Sequence, residues 1–330
     1  MKRTAIIVTG GVIVSLAVYL QVRQMKSNLT APGRGNPDGP VTSMVPVATN
    51  HSVTSLAPVA TNHLGAEIAS STIGTEPPPR LRAVYGLFGE TYAKRQQAIQ
   101  SLTPPFTEEE LKAAFDFLHY KGGSDASWDH VLKNEMMNLL KDQKVPSYVR
   151  EMCGLYNDRG QDDVTRDYAI QHLVSGCIDD ASRYASDRPE LHDAMWQATE
   201  ETATSVAGTA LLGLHRLQST DQAIDSNRVN DVALKLANDT TCAQLNRITA
   251  IQVCAQRALL DVLPLAVKLA REGDSISIRA SAIAAIGAVG GSQEMDVLRE
   301  LEKQNEPALR PAVAAALRRM GSRVEKSGHG

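Results

Sequence analysis

A five-residue phrase, Arg-x-x-Ala-Ile, recurs along the chain and constrains the fold more than any other feature. Full copies start at Arg95, Arg166, Arg247 and Arg279, and a weaker copy starts at Arg310. Two degenerate copies fill the long gaps, so the alanine position recurs at 98, 136, 169, 210, 250, 282 and 313, which is every 31 to 41 residues. Periods of this length are typical of architectures built by stacking one small unit.

Each copy of the phrase also predicts a helix. Apolar residues occupy the alanine position, the next position and the position four residues beyond, and together they form one stripe of an amphipathic helix. Several of the stretches between copies open on a proline or a polar cap, as helix starts do. We therefore predict an all-α fold of about six antiparallel helix pairs, with an unpaired last helix near residues 308–320. The second helices are expected at 107–119, 146–156, 189–200, 227–237, 262–271 and 293–304.

The C-terminal copies carry the most specific pattern. Residues 277–290 read Ser-Ile-Arg-Ala-Ser-Ala-Ile-Ala-Ala-Ile-Gly-Ala-Val-Gly, and a leucine-containing stretch at 298–301 precedes Leu309 and Arg310. This pattern resembles HEAT repeats, especially the short HEAT-like repeats first associated with phycobilisome lyases. The resemblance implies an α-solenoid over residues 85–321, an architecture that usually serves as a protein-binding scaffold. The arginine is missing at Ala207, where we expect a kink or an altered curvature.

An uncharged stretch near the N-terminus predicts a membrane segment. Residues 4–22 contain no charged residue and have basic residues on both sides. As a helix this stretch would be about 28 Å long, close to the thickness of a bilayer core. We expect residues 1–26 to form a transmembrane signal anchor, with the N-terminus inside and the rest of the chain exported. A signal peptide cleaved after Ser15-Leu16-Ala17 is the alternative, and it would give a secreted protein.

A low-complexity segment separates the predicted anchor from the helical body. Residues 27–84 are rich in Pro, Ser, Thr, Ala and Gly, and Pro-Val-Ala-Thr-Asn-His occurs twice, at 46–51 and 58–63. Without apolar periodicity such a segment cannot bury enough surface to offset the entropy of ordering it. We predict a disordered linker over 27–84 and a disordered tail over 322–330.

The distribution of charge limits the choice of partner. The net charge is −3, yet residues 1–26 carry four positive charges, and residues 301–330 carry six positive charges against three negative ones. The helical body between them is therefore strongly acidic, and it would repel nucleic acids. We expect a protein partner that is basic or uncharged, a membrane contact through residues 4–22, and no nucleic acid.

The sequence offers little for catalysis or for metal binding. Phosphate-binding, dinucleotide-binding, HExxH and GxSxG motifs are absent, and the histidines of the body fall on different predicted helices without an i, i+4 pair. We predict no catalytic residue, no cofactor and no metal, and hence a protein that is not an enzyme. The four cysteines lack CxxC spacing, and we expect four free thiols, with a single Cys242–Cys254 bridge as the alternative.

Three residue sets are candidates for function or for structure. Amides recur two residues after the alanine position and could line a groove that holds an extended peptide, although solvated polar positions would look the same. Two tryptophans could anchor a partner or close a helix pair. The repeated arginines could bridge neighbouring repeats or contact a ligand. The amides are Gln100, Asn138, Gln171 and Gln252. The tryptophans are Trp128 and Trp196, and the arginines are Arg95, Arg166, Arg247, Arg279 and Arg310.

These observations lead to one principal function and two alternatives. The principal prediction is a membrane-tethered, non-enzymatic protein-binding scaffold. The first alternative, by analogy with the lyases that share HEAT-like repeats, is an enzyme accessory or lyase-like factor. The second is a structural envelope spacer that associates with itself through an exposed alanine face at 312–316.

Overall fold

Helices make up every regular element in the part of the chain that the computed structural model describes, residues 76–86, 90–120, 129–179 and 184–327. Two 3₁₀ turns, Ala185–Asp187 and Leu260–Val262, precede α7 and α11. The α-helices are α1 (Arg82–Tyr85), α2 (Tyr92–Ser101), α3 (Glu108–His119), α4 (Asp129–Asp142), α5 (Tyr148–Asn157), α6 (Asp163–Asp179), α7 (Arg188–Ala198), α8 (Val206–Leu217), α9 (Ser226–Asn238), α10 (Gln244–Gln256), α11 (Leu263–Glu272), α12 (Ile276–Val289), α13 (Ser292–Gln304) and α14 (Arg310–Ser327).

The helices form two layers. The even-numbered helices α2 to α14 make the first layer, in which each helix packs on the next even-numbered helix. The odd-numbered helices α3 to α13 make the second layer, and they pack mainly on first-layer helices and less on one another. The two layers alternate along the chain, and each odd-numbered helix from α3 to α13 packs more on the first-layer helix that follows it than on the one that precedes it. The predicted all-α fold is confirmed, and it is consistent with an α-solenoid. The prediction of an unpaired last helix is wrong, because α14 packs on α13.

The repeat columns form the core of this stack. The alanine position is buried in every first-layer helix from α4 to α14, and the position four residues further on is buried from α2 to α12. Small side chains at the first position let neighbouring helices approach closely, and the larger side chains at the second fill the space beside them.

Local capping fixes several of the helix starts. The Thr107 hydroxyl accepts a hydrogen bond from the backbone N–H of Glu110, while the Glu110 carboxylate accepts one from the backbone N–H of Thr107, so α3 begins with a capping box. The side chains of Asp225 and Ser275 cap α9 and α12 in the same way, without the return bond.

The terminal helix packs closely on α12 through a glycine. A Cβ atom at Gly287 would lie 2.7 Å from both Cα and Cβ of Ala316. Val313 and Ala316 are each only 3% exposed. The prediction of an exposed alanine face at 312–316 is therefore wrong, because these residues cover α12, and Ala315 alone among them is exposed.

Replacing Gly287 with alanine is expected to lower the free energy of unfolding by about 1–2 kcal/mol, because the new methyl group overlaps the backbone of α14. The matched control is Gly321→Ala in α14, where a Cβ would meet nothing within 4 Å. That variant is expected to gain about 0.5–1 kcal/mol, since glycine is a poor helix former. Chemical denaturation of both variants measures the two effects, and equal effects would contradict a close contact at Gly287.

The observed boundaries differ from the predicted ones at both ends of the body. Residues 76–84, assigned to the linker from sequence, are part of the fold, because Leu81 and Val84 are fully buried. The terminal helix continues to Ser327 instead of ending near 321. The predicted membrane segment at 4–22 and the rest of the linker lie outside the described residues. Within the described ranges, no helix combines the length and the apolar character that crossing a bilayer requires.

All four cysteines are buried and unbridged, so the alternative of a Cys242–Cys254 bridge is wrong. Burial raises the pKa values of Cys153, Cys177 and Cys254 to about 12. These thiols stay protonated at neutral pH and are poor nucleophiles.

Candidate functional site

The repeated arginines make the same two contacts in several repeats. Arg95 Nε donates to the backbone oxygen of Val84, at 2.8 Å, and Arg95 Nη1 lies 2.9 Å from Asp129 Oδ1 at the start of α4. One side chain thus joins the helix before it to the repeat after it. We call this series of contacts the arginine ladder. Its other complete rungs are Arg166 with the Tyr156 carbonyl (2.8 Å) and Glu201 (2.6 Å), and Arg279 with the Ala270 carbonyl (3.1 Å) and Glu306 (2.7 Å).

Three rungs of the ladder are altered. Arg247 is buried, its nearest acid, Asp274, is 3.9 Å away, and its Nε has no partner. In α4 a lysine replaces the arginine, and Lys133 Nζ donates to Gln161 Oε1 at 2.6 Å. Arg310 is exposed. The ladder holds successive repeats together, and where it is complete it leaves the guanidinium little access to a ligand.

The repeat that lacks an arginine, at Ala207, is held by an asparagine from the next repeat. The fully buried Asn246 accepts a hydrogen bond from the backbone N–H of Gly208 at 2.8 Å. Its amide donates to the backbone oxygens of Thr202 and Thr204, at 3.0 and 2.7 Å. The Asn246 side chain therefore bonds both to the start of α8 and to the loop that precedes α8.

Glu201, in the same loop, accepts three side-chain hydrogen bonds on one carboxylate oxygen. Its Oε1 accepts hydrogen bonds from the Tyr156 hydroxyl (2.5 Å), Arg159 Nη1 (2.6 Å) and Arg166 Nη2 (2.6 Å). Burial alone would raise the pKa of Glu201, but these bonds outweigh burial and hold the pKa below its usual value. Both arginines also lie over the Tyr156 ring. The cluster ties the loop before α8 to α5 and α6.

The predicted amides lie on the first layer. Gln100, Asn138 and Gln171 are exposed on the successive helices α2, α4 and α6. Gln252 is half-buried on α10, and Leu212 occupies the equivalent position of α8 between them. The amide of Gln171 donates to Asp167 Oδ2 at 3.3 Å, one turn earlier. Three of the four amides therefore share one uninterrupted face.

Trp196 does not join this face. Trp196 lies on α7 in the second layer, half-buried, with the guanidinium of Arg228 4.0 Å from its ring centroid. That contact is a cation–π interaction between neighbouring second-layer helices. Trp128 lies outside the described residues.

A groove in the second layer was missed by the sequence analysis. It lies between α3 and α5, and its volume is about 330 Å³. The groove residues of α3 recur at intervals of three and four, so the sequence did indicate that they share one side of a helix. It did not indicate which other helix lies opposite them. The lining residues are Glu108, Leu111, Lys112, Phe115, Asp116 and His119 of α3, with Ser147 and Glu151 from the start of α5.

A buried histidine, His172, links α4, α5 and α6. His172 Nε2 lies 3.0 Å from Asn134 Oδ1, and His172 Nδ1 lies 2.7 Å from the Tyr148 hydroxyl. Since an amide oxygen only accepts, Nε2 carries the proton and Nδ1 accepts from the hydroxyl. Burial, together with the nearby Lys141, lowers the pKa of His172 to about 4.

Acidification is expected to destabilise the protein through His172. Between the unfolded pKa of 6.5 and the folded pKa of about 4, the unfolded chain binds a proton that the native state does not. The stability that neutral His172 contributes is complete above pH 6.5 and falls by about 3 kcal/mol as the pH drops to 4. Urea unfolding of the wild type and of His172→Gln at several pH values measures this, because glutamine does not titrate. Parallel pH dependence in the two proteins would contradict the assignment.

Comparisons with known proteins return one remote structural match. No protein-family model matches the chain, and no curated protein sequence matches it. Among solved structures, the chain is similar to human deoxyhypusine hydroxylase in complex with glycerol, with 19% identity, 69% of this chain covered, 96% of that chain covered and a TM-score of 0.27. At that TM-score no residue role and no activity is carried over to this chain. Within the described residues, no group of three or more His, Cys, Asp and Glu side chains is placed to hold a metal ion.

The principal functional prediction, a non-enzymatic protein-binding scaffold, is contradicted by this match, because the matched protein is an enzyme.

Proposed function

We propose that this protein is an accessory factor of an enzyme, built from short HEAT-like repeats of the phycobilisome-lyase type, and that it holds an extended segment of the protein on which the enzyme acts. The observation that carries the proposal is the row of exposed amides Gln100, Asn138 and Gln171 on three successive first-layer helices. In this proposal the chain binds the substrate protein and its partner enzyme performs the catalysis.

The spacing of the amides suits an extended peptide. Neighbouring packed helices lie about 8–10 Å apart, whereas an extended chain rises about 3.3 Å per residue. One amide per helix would therefore meet roughly every third residue of a bound segment. Each amide offers both a donor and an acceptor, so it can pair with a backbone N–H and a backbone carbonyl. Recognition of this kind depends little on the side chains of the bound segment.

The placement of the protein is part of the same proposal. We propose that residues 4–22 anchor the chain in a membrane with the N-terminus inside, and that residues 27–75 tether an exported helical body. The acidic composition of the body supports a protein partner and speaks against nucleic acid. The proposal requires no metal and no cofactor.

A photo-crosslinking residue at Asn138 or Gln171 in the full chain, activated in native membranes, tests the proposal. The control positions are Gln197 and Asn227, which are equally exposed but lie in the second layer. We expect the first-layer positions to capture a protein that the control positions do not, and that protein to be an enzyme or its substrate. Capture of the same proteins from both layers would overturn the proposal.

A rate measurement then separates an accessory role from mere contact. The identified enzyme is assayed with and without the purified full chain, and with the variant Gln100→Ala/Asn138→Ala/Gln171→Ala. Loss of three hydrogen bonds of ordinary strength is expected to weaken the stimulation about tenfold or more. The variant Gln197→Ala/Asn227→Ala/Gln293→Ala removes three exposed second-layer amides and is expected to behave as wild type. An enzyme whose rate is unchanged by the chain would overturn the accessory role.

A further inference from the structure

The groove between α3 and α5 has an apolar floor and charged walls. Phe115 is buried and Leu111 is the other apolar lining residue. Three wall carboxylates, Glu108, Asp116 and Glu151, stand against one ammonium group, that of Lys112, which pairs with Asp116 at 2.6 Å across an exposed contact. Exposed pairs of this kind contribute little free energy, so Asp116 can exchange its partner. The groove therefore favours an occupant with a cationic rim and a small apolar centre.

The terminal helix α14 presents such a surface. Between residues 310 and 323 it contains four arginines and no acidic residue. Arg310, Arg318 and Arg319 are exposed, and so is the small residue Ala315 between them. Within the described residues α14 packs on α12 and α13. Its charge is opposite to that of the α3–α5 groove.

The acidic residues of the groove and the arginines of α14 are opposite in charge and also have the same spacing along their helices. Glu108 and Asp116 are eight residues apart on α3, and Arg310 and Arg318 are eight residues apart on α14. Eight residues of helix rise about 12 Å in each case and turn the side chains by the same angle. With the two helices antiparallel, Arg318 meets Glu108 and Arg310 meets Asp116. Antiparallel helices also oppose their dipoles favourably.

We propose that α14 of one copy of this chain docks into the α3–α5 groove of a second copy. The contact is of the helix-in-groove kind, with a small apolar centre and charge pairs at both ends. Because the two surfaces differ, the contact is heterologous, and it either closes into a ring or adds further copies. It uses the second layer and the end of the stack, and so leaves the amide face free. The proposal does not depend on the accessory role.

Sedimentation velocity of the full chain in a mild non-ionic detergent tests the proposal. At about 50 mM salt we expect a mass above that of one chain that rises with protein concentration, and at about 500 mM salt a return toward one chain, since exposed charge pairs are screened. Arg318→Glu is expected to raise the dissociation constant at least tenfold. The control Lys268→Glu changes the charge of an exposed second-layer residue on α11 and is expected to leave association unchanged.

A charge exchange tests the predicted register. The double variant Arg318→Glu/Glu108→Lys restores the pair between any two copies, and we expect association to return to within about threefold of wild type. Circular dichroism confirms that each variant keeps its helical content. A single-chain mass at low salt and high concentration, association unaffected by Arg318→Glu, or a charge exchange that fails to restore association would each overturn the proposal.

Discussion

Replacing Glu201 with alanine is expected to lower the free energy of unfolding by about 3 kcal/mol. The Arg166 side chain is only 5% exposed and has Glu201 as its close carboxylate partner, whereas Asp163 is 3.7 Å away. Removing Glu201 leaves the buried guanidinium without that partner and the Tyr156 hydroxyl without its acceptor, and breaking such a pair from one side is strongly destabilising. Urea denaturation of the full chain, followed by circular dichroism, measures the loss.

The adjacent residue supplies the control for this prediction. Glu200 pairs with Lys235 at 2.8 Å, but both side chains are more than half exposed. Glu200→Ala is expected to change the free energy of unfolding by less than about 1 kcal/mol. Equal losses of stability in the two glutamate variants would contradict the role given to the cluster around Glu201.

Replacing Asn246 with alanine is expected to cost about 3–4 kcal/mol. The substitution leaves the Gly208 N–H and the Thr204 carbonyl without their partner, while the Thr202 carbonyl keeps a hydrogen bond from the Ala243 N–H. Each unpaired buried polar group costs about 1–3 kcal/mol. Thr202 and Thr204 are half-buried, so water can partly replace the lost bonds. The total loss of stability is therefore expected to be smaller than the sum of the largest costs for each group.

Asn246→Asp distinguishes loss of hydrogen bonds from loss of volume. Aspartate fills the same space and keeps an acceptor for Gly208, but it sets a carboxylate against two carbonyl oxygens. We expect this variant to be at least as unstable as Asn246→Ala. Asn238→Ala is the control, because that exposed asparagine donates only to a carbonyl of its own helix, and it should cost less than about 1 kcal/mol. A stable Asn246→Asp protein would contradict the role given to the side chain.

The helical repeats were predictable from sequence because burial of the first layer imposes a pattern on every copy. The alanine position and the leucine position four residues on follow from the 3.6-residue period of a helix. The acidic partners of the ladder arginines were less predictable from the sequence. Arg166 and Glu201 are 35 residues apart, and the spacing shortens to 27 for Arg279 and Glu306. No fixed interval identifies such pairs.

The altered repeats were harder still to predict. Ala207 reads as a gap in the pattern, but the structure compensates through Asn246, an ordinary polar residue at the start of the next first-layer helix. The α3–α5 groove belongs to two second-layer helices, and that layer is less constrained because its helices pack less on one another. Its walls depend on how far these helices separate, which a one-dimensional pattern does not contain.

The exposed Arg310 has a consequence for how the chain can lengthen. Every complete rung needs an arginine from one repeat and an acid from the next, and within the described residues the exposed Arg310 forms no such rung. A duplicated copy of the unit that lies between Arg279 and Arg310 would bring its own version of Glu306 to Arg310, and would end in another exposed arginine. Lengthening of the chain by internal duplication would thus need no new kind of interface, because each added repeat would again end in an exposed arginine that can pair with the acid of the next repeat.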